Sequence, residues 1–124
     1  FNTVAVVRYN PNGTLDASFD GDGIATTGVS GITQAVAVAV QPDGKIVVAA
    51  NGGGAGYAVL RYNADGSLDA TFDGDGIFTD SSVGTVNALA LQPDGKIVTA
   101  GSIAINFFTS DFSVARLNPN GSFD

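Results

Sequence analysis

The carboxylates of two Asp/Gly-rich strings are the first candidates for chemistry in this sequence. From Asp16 the string Asp-Ala-Ser-Phe-Asp-Gly has oxygen donors at its first, third and fifth positions and Gly at the sixth, as in calcium-binding loops. Its copy from Asp69 reaches Asp80 at the twelfth position, where the first copy has Thr27 and where calcium loops favour Glu. The calcium ligands predicted in this way are Asp16, Asp20, Asp22, Asp69, Asp73, Asp75 and Asp80.

The alternative role of these charges is architectural. Every basic residue recurs at a repeat position: Arg8, Arg61 and Arg116 at one, Lys45 and Lys96 at the other. We expect each Arg to pair with an Asp of its own or a neighbouring repeat, and the Asp side chains to brace turns through backbone N–H groups. This interpretation is favoured over a calcium site, because short Asp/Gly strings match calcium loops easily.

The sequence lacks the side chains that enzymes most often use in catalysis. Without Cys and His there is no thiol nucleophile, no Ser-His-Asp triad, no imidazole base and no usual zinc or copper site. Asp20 and Asp22 could in principle act as paired carboxylates, but the pair is duplicated and flanked by turn glycines. The glycine string at 51–56 lacks the Lys of a phosphate-binding loop. We therefore expect a protein that is not an enzyme and has no cofactor other than a possible calcium ion.

The net charge of −7 bears on partners. It disfavours nucleic acid and anionic membranes, and no apolar run is long enough to span a bilayer. Proteins, carbohydrates or copies of the chain remain as partners. Phe107, Phe108 and Phe112 are candidate anchors for a partner on the longest insertion. The alternative, that they cover a sheet edge or pack on the next repeat, is favoured because large apolar side chains generally lie in a core.

Two phrases recur along the chain and alternate. RYNPNGTLDASFDGDGI at 8–24 returns as RYNADGSLDATFDGDGI at 61–77 and begins again at 116–124. QPDGKIVVAA at 41–50 returns as QPDGKIVTAG at 92–101. A period of about fifty residues is typical of propellers, solenoids and arrays. The sequence predicts one repeat array, 1–124, with units at about 1–33, 34–85 and 86–124.

The repeat units differ in length at two positions of the repeat. Connections tolerate insertions where paired backbone does not, so these stretches are predicted to be surface loops. They are 26–33 and 51–56, with their counterparts 79–85 and 102–110. In many repeat proteins such loops share one face and form the binding surface.

Each unit has the pattern of four short strands and no helix. The first strand alternates small and larger apolar residues, and the second is rich in β-branched residues. The predicted strands are 35–40 (again at 87–91), 45–49, 57–62 (again at 113–117) and 76–80 (again at 23–27). Gln-Pro-Asp-Gly, between the first two strands, has Pro and Gly where a tight hairpin turn requires them. Four antiparallel strands per repeat predict an all-β fold made of β-propeller-type blades.

The number of repeats falls short of a closed ring. Propellers typically have about four to eight blades, whereas the two phrases occur here two to three times. We therefore expect either part of a larger propeller or several copies that join through their blade edges. The terminal repeats resemble the middle one rather than caps, which favours the first alternative.

The alternation of RYNADGSLDATFDGDGI (61–77) with AVAVQPDGKIVVAA (37–50) resembles the bacterial delta-60 repeat family over essentially the entire chain. This family consists of long acidic proteins whose repeats are taken to form a β-propeller of unknown function. The departures are Leu117 in place of Tyr, Ala64 in place of Pro and the apolar insertion at 103–108.

The resemblance implies a secreted or cell-surface location in a bacterium and no established chemistry. The function that we predict is a non-enzymatic extracellular scaffold that displays variable loops or assembles through blade edges. The alternative is a calcium- or carbohydrate-binding propeller module that uses its Asp/Gly-rich turns.

Overall fold

The computed structural model describes residues 2–54, 56–81, 84–106 and 109–124. All regular secondary structure in these ranges is β-strand, which confirms the all-β prediction, and none of it is a helix that could cross a membrane. The strands are β1 (Thr3–Val7), β2 (Ile24–Gly28), β3 (Ile32–Val40), β4 (Ile46–Gly52), β5 (Tyr57–Tyr62), β6 (Ile77–Asp80), β7 (Thr85–Leu91), β8 (Ile97–Asn106) and β9 (Thr109–Leu117).

These strands form three antiparallel sheets in chain order. The first sheet is β1–β2, the second is β3–β4–β5–β6 and the third is β7–β8–β9. Neighbours in each sheet are consecutive in the chain, as in a meander. The second sheet has the four-stranded antiparallel arrangement of a propeller blade, and the third repeats its first three strands. The predicted blade-type fold is confirmed.

The Gln-Pro-Asp-Gly turns join the first two strands of a sheet as predicted. Between β3 and β4, the N–H of Gln41 donates to the carbonyl of Lys45 at 2.8 Å, and the N–H of Gly44 donates to the carbonyl of Gln41 at 2.9 Å. Gly44 has φ of 85°, a left-handed conformation that Gly adopts without steric cost. The copy of this turn at 92–96 has the same bonds between β7 and β8.

The core lies between the sheets. Side chains alternate across β4 and β5, so each of these strands sends residues to both faces of the second sheet. One face packs against the first sheet in a cluster that includes Val4, Phe19, Leu60 and Tyr62. The other face packs against the third sheet in a second cluster that includes Val47, Val59, Phe72, Ile97 and Leu117. Burial on both faces explains the long apolar runs in these two strands.

The prediction of a surface loop at 102–110 is wrong for the described residues of this stretch. β8 continues to Asn106 and β9 begins at Thr109, with Ala104 opposite Ser110 and Asn106 opposite Thr109. The extra residues lengthen a hairpin, because a ladder satisfies backbone N–H and C=O groups and β-branched side chains such as Ile105 suit a strand. The other loops are also shorter than predicted, since strands include 26–28, 32–33, 51–52 and 79–80.

Candidate functional site

The first recurring phrase begins with a tight turn directly after a strand. In the second repeat, the N–H of Asn63 donates to the carbonyl of Ser67 at 2.8 Å, and the N–H of Gly66 donates to the carbonyl of Asn63 at 3.0 Å. The Asp65 carboxylate accepts from the N–H of Ser67 at 3.0 Å and from its hydroxyl at 2.6 Å. The equivalent bonds recur in the turns at 10–14 and 118–122, where Asn supplies the acceptor.

A second turn follows at once and buries an aromatic ring. One carboxylate oxygen of Asp69 accepts from the N–H of Thr71 at 3.1 Å and from its hydroxyl at 2.6 Å. The N–H of Phe72 donates to the carbonyl of Asp69, and the N–H of Gly76 donates to the carbonyl of Phe72. Phe72 is fully buried. The first repeat has the same turn with Asp16, Ser18, Phe19 and Gly23.

The Arg of each phrase spans both turns. Arg61 Nε donates to the second carboxylate oxygen of Asp69 at 2.7 Å, and Arg61 Nη2 donates to the Thr71 hydroxyl at 3.2 Å. The guanidinium carbon lies 4.7 Å from the centre of the Phe72 ring, a cation–π contact. A planar guanidinium can stack and donate in several directions at once, which Lys cannot do. Arg8 makes the same contacts with Asp16, Ser18 and Phe19.

In the first two phrases, Nη1 of the Arg and one backbone N–H bind the turn of the following repeat. Arg8 Nη1 donates to the carbonyl of Ala64 at 2.6 Å, and the N–H of Asp20 donates to the carbonyl of Asp65 at 2.7 Å. One repeat later, Arg61 Nη1 donates to the carbonyl of Pro119 at 2.5 Å, and the N–H of Asp73 donates to the carbonyl of Asn120 at 2.7 Å. The same atoms therefore tie each repeat to its successor.

We call each of these sets a clasp. The first clasp consists of Arg8, Asp16, Phe19 and Asp20 with the turn residues Ala64 and Asp65. The second clasp consists of Arg61, Asp69, Phe72 and Asp73 with Pro119 and Asn120. The pairing of Arg with an Asp of its own repeat, and the bracing of turns by Asp, are confirmed.

The Lys of the second recurring phrase pairs with an Asp of the first recurring phrase in its own repeat. Lys45 Nζ donates to Asp69 at 2.8 Å and to the side-chain oxygen of Asn63 at 2.9 Å. Lys96 donates to Asp124 at 2.8 Å, and Arg116 pairs with the same carboxylate. Asp69 thus accepts from two cations while it is buried.

The pKa values follow from these contacts. Burial alone would raise the pKa of Asp69, but hydrogen bonds from Lys45 and Thr71 and the charge of Arg61 outweigh it and hold the pKa below its ordinary value. The hydrogen bonds from Ser18 lower the pKa of Asp16. Those from Lys96 and then Arg116 lower the pKa of Asp124. All three carboxyl groups are therefore ionised at neutral pH.

The aspartates predicted as calcium ligands make contacts with other parts of the protein. Asp16 and Asp69 face cations, and Asp20 and Asp73 have left-handed φ of 51° and 50° while their N–H groups bind the next repeat. In the described ranges, no group of three or more acidic side chains is arranged to hold a metal ion. Asp22 and Asp75 accept from the N–H groups of Ile24 and Ile77 at 2.9 Å, and Asp80 ends β6 opposite Tyr57. Calcium binding stays a prediction.

The three phenylalanines predicted as partner anchors divide into two groups. Phe107 and Phe108 lie outside the described residues. Phe112 lies on β9 opposite Ser102, and its side chain is exposed.

Sequence reasoning missed the bonds between repeats. Their acceptors are the backbone carbonyls of Ala64 and Pro119, which have no residue signature because every residue has a carbonyl group. One signal was available at Gly66, because Gly closes all three copies of the turn. A Cβ at this position would lie 2.7 Å from the backbone nitrogen of Asp20. Glycine therefore allows the two repeats to approach closely.

Antiparallel sheets of up to four strands, packed face on face and joined by recurring turns, define a β-propeller repeat protein. A family model described as "Domain of unknown function (DUF5122) beta-propeller" matches residues 1–19, 41–72 and 92–124. The chain belongs to this family, which corresponds to the delta-60 repeat type. The matched segments include the Arg and Lys positions and the first turn of each recurring phrase. The chain matches no curated protein and no solved structure.

Proposed function

We propose that this chain is a non-enzymatic structural and interaction scaffold that acts outside the cell, in secreted form or at the cell surface. One observation supports the proposal above all others. The basic residues, five in the whole sequence, each form an ion pair with an Asp of a recurring phrase. Charges that hold the framework together in every repeat serve architecture, whereas a reactive centre uses charges placed at one position.

The clasps also connect repeats, which is what a scaffold requires. Each clasp combines an ion pair, an aromatic contact and two bonds to the next repeat. In repeat arrays, the interfaces between neighbours supply much of the stability. A framework of this kind can vary its loops without losing its fold, and this leaves exposed segments such as the β8–β9 hairpin available to a protein or carbohydrate.

The extracellular location rests on the resemblance to the family and on the acidic composition. An acidic surface keeps a protein soluble and repels nucleic acid. Fractionation of cells that express this protein with an affinity tag tests the location. Recovery in the medium or at the cell surface supports it, and recovery in the cytosol contradicts it.

A ligand screen tests the scaffold against the alternative of a calcium or carbohydrate module. We expect millimolar calcium to leave the thermal midpoint unchanged and a glycan array to show no binding above background. A ligand that binds only the folded state must raise the midpoint. A saturable rise with calcium that is lost in Asp75→Asn, or reproducible binding of one glycan class, would falsify the scaffold proposal.

A further inference from the structure

The sequence contains seven Asp-Gly dipeptides, a pair of residues that can rearrange in water without an enzyme. The backbone nitrogen of the Gly attacks the side-chain carboxyl carbon of the Asp, and Gly has no side chain to hinder the attack. A hydrogen bond to either group must break before the two can meet. The dipeptides lie at 20–21, 22–23, 43–44, 65–66, 73–74, 75–76 and 94–95.

Five of these dipeptides are held by hydrogen bonds at both reacting groups. In Asp75-Gly76, the carboxylate accepts from the N–H of Ile77 at 2.9 Å, and the N–H of Gly76 donates to the carbonyl of Phe72 at 2.7 Å. A bond of each kind also holds the dipeptides at 22–23, 43–44, 65–66 and 94–95. The related Asn-Gly dipeptides at 12–13, 51–52 and 120–121 are held in the same way. The fold therefore protects these positions.

The other two dipeptides, Asp20-Gly21 and Asp73-Gly74, are free at both groups. In the described ranges, no hydrogen bond reaches the carboxylate of either Asp, and none is donated by the N–H of either Gly. All four residues are exposed to water. No atom lies within 4 Å of a Cβ built at Gly21 or Gly74, so a ring that forms there has room.

Backbone strain acts at the same two positions. Asp20 has φ of 51° and Asp73 has φ of 50°, and in the described ranges these are the residues other than Gly with a left-handed φ. This conformation is costly because Cβ lies close to the following carbonyl oxygen. In the rearranged residue this carbonyl belongs to a free carboxylate that can rotate away. The strain therefore favours the reaction.

We propose that Asp20 and Asp73 are sites of spontaneous isoaspartate formation. The Gly nitrogen forms a bond to Cγ of the Asp and gives up its proton, the protonated carboxyl group gives up its hydroxyl, and the two leave as water. Water then opens the cyclic imide. Opening at the main-chain carbonyl carbon gives isoaspartate, and opening at Cγ restores aspartate. One water is lost and one is gained, so the reaction needs no oxidant and no cofactor.

The modification falls on the bonds that join neighbouring repeats. The N–H groups of Asp20 and Asp73 donate to the carbonyls of Asp65 and Asn120 at 2.7 Å. The backbone of isoaspartate runs through Cβ and is one atom longer. At Asp20 this atom enters the turn that the N–H of Gly23 closes on the carbonyl of Phe19 at 2.7 Å. Isoaspartate should therefore weaken the clasp. This inference goes beyond the proposed scaffold function, which does not depend on it.

Incubation of the folded chain at mildly acidic pH, where part of the carboxyl groups is protonated, tests the proposal. Mass spectrometry with electron-transfer fragmentation assigns isoaspartate to individual residues, and methylation by an isoaspartyl methyltransferase measures its total. Asp20 and Asp73 should form isoaspartate about tenfold faster or more than Asp22 and Asp75, where two hydrogen bonds must break first. Both members of each comparison lie in the same string, Phe-Asp-Gly-Asp-Gly-Ile, which makes the second Asp an internal control.

The same incubation in urea separates the effect of the fold from that of the sequence. Unfolding removes the protecting hydrogen bonds, so the four positions should then react at similar rates. A folded chain with the same pattern as the unfolded one would overturn the proposal. A folded chain without isoaspartate at Asp20 and Asp73 would overturn it as well.

A blocked variant tests the consequence for the clasps. Asp20→Glu combined with Asp73→Glu keeps both charges but requires a larger ring, so neither position should rearrange. The thermal midpoint of the wild type should fall during incubation in step with its isoaspartate content, and that of the variant should stay constant. An equal fall in both proteins would contradict the link between this modification and the clasps. The assignment of the two sites uses the wild-type chain alone.

Discussion

Asp69 is a buried carboxylate that pairs with two cations. It is buried, and its carboxylate accepts hydrogen bonds from Lys45, Arg61 and Thr71. Its counterpart Asp16 makes the same contacts with an Arg and a hydroxyl, but it is more exposed and pairs with one cation. The two positions therefore compare a buried carboxylate that faces two cations with a more exposed carboxylate that faces one.

Asp69→Asn should lower the free energy of unfolding at pH 7 by about 3–5 kcal/mol, because it leaves two cations facing a neutral group in a buried site. The folded-state pKa of Asp69 is depressed, so its contribution is fully present above about pH 4 and is lost as pH falls below the ordinary value. Urea titrations between pH 7 and acid pH check both the size and the slope. Asp16→Asn is the control with a smaller loss, and equal losses would contradict the role assigned to burial and to the second cation.

Gly66 is a second position where one residue decides whether two repeats can approach. Gly66→Ala should be destabilising on two counts: its φ is +94°, and a Cβ would lie 2.7 Å from the nitrogen of Asp20. Gly13→Ala is a matched control. Gly13 lies in the equivalent turn of the first repeat with φ of +86°, and no atom lies within 4 Å of a Cβ added there. We expect about 1–2 kcal/mol for the control and about 1 kcal/mol more for Gly66→Ala, from the lost bond to Asp65. Equal thermal shifts would contradict the close approach.

At the scale of elements, the third sheet is tied to the second by a side chain as well as by the clasp. Asn51 at the end of β4 donates to the carbonyl of Val86 at 2.7 Å and accepts from its N–H at 2.7 Å. The register of β7 shifts directly after Val86, so the Asn51 side chain bonds the backbone at an irregularity of the ladder. One side-chain amide thus bonds both backbone polar groups of Val86.

Asn51→Ala should cost about 1–3 kcal/mol, since it leaves a donor and an acceptor of Val86 without their partner. Ser102 occupies the same repeat position in the third sheet and bonds the hydroxyl of Thr85 within its own sheet. Ser102→Ala should therefore cost less in the same chemical denaturation experiment. A Ser102→Ala loss as large as that of Asn51→Ala would show that the link between sheets contributes little.

The sequence predicted the strands and turns because their signals are local. Gln41–Gly44 carries the turn chemistry in adjacent residues, and β4 and β5 carry their burial in unbroken apolar runs. The pairing of Arg61 with Asp69 was also accessible, since both recur at a constant spacing. The extended β8–β9 hairpin was missed because an insertion has the same length whether it forms a loop or a ladder.

The unequal burial of equivalent residues was beyond the sequence for a different reason. Tyr57 and Phe112 occupy the same repeat position, yet one is buried and the other is exposed. The difference depends on whether a further sheet covers the face, and the sequence around each residue does not contain that information. The bonds from Arg8 and Arg61 to backbone carbonyls were missed because their acceptors carry no side-chain signal.

At the scale of the molecule, the core consists of two clusters, one at each interface between neighbouring sheets. Phe19 belongs to the cluster between the first and second sheets, and Phe72 to the one between the second and third. Arrays of this kind gain stability from each repeat and from each interface between neighbours. The first sheet has two strands and one such interface, so it should open at the lowest free energy.

Phe19→Ala should therefore unfold one end of the array and leave the other intact. Loss of a buried Phe costs about 3–5 kcal/mol, and here it falls on the interface that holds β1 and β2. Hydrogen exchange should show lost protection in β1 and β2 while the amides of β8 keep theirs. Phe72→Ala is the matched control, which should lower protection in the second and third sheets together. A parallel loss in β1 and β8 of Phe19→Ala would mean that the three sheets unfold as one unit, and that the clasps transmit stability across both interfaces.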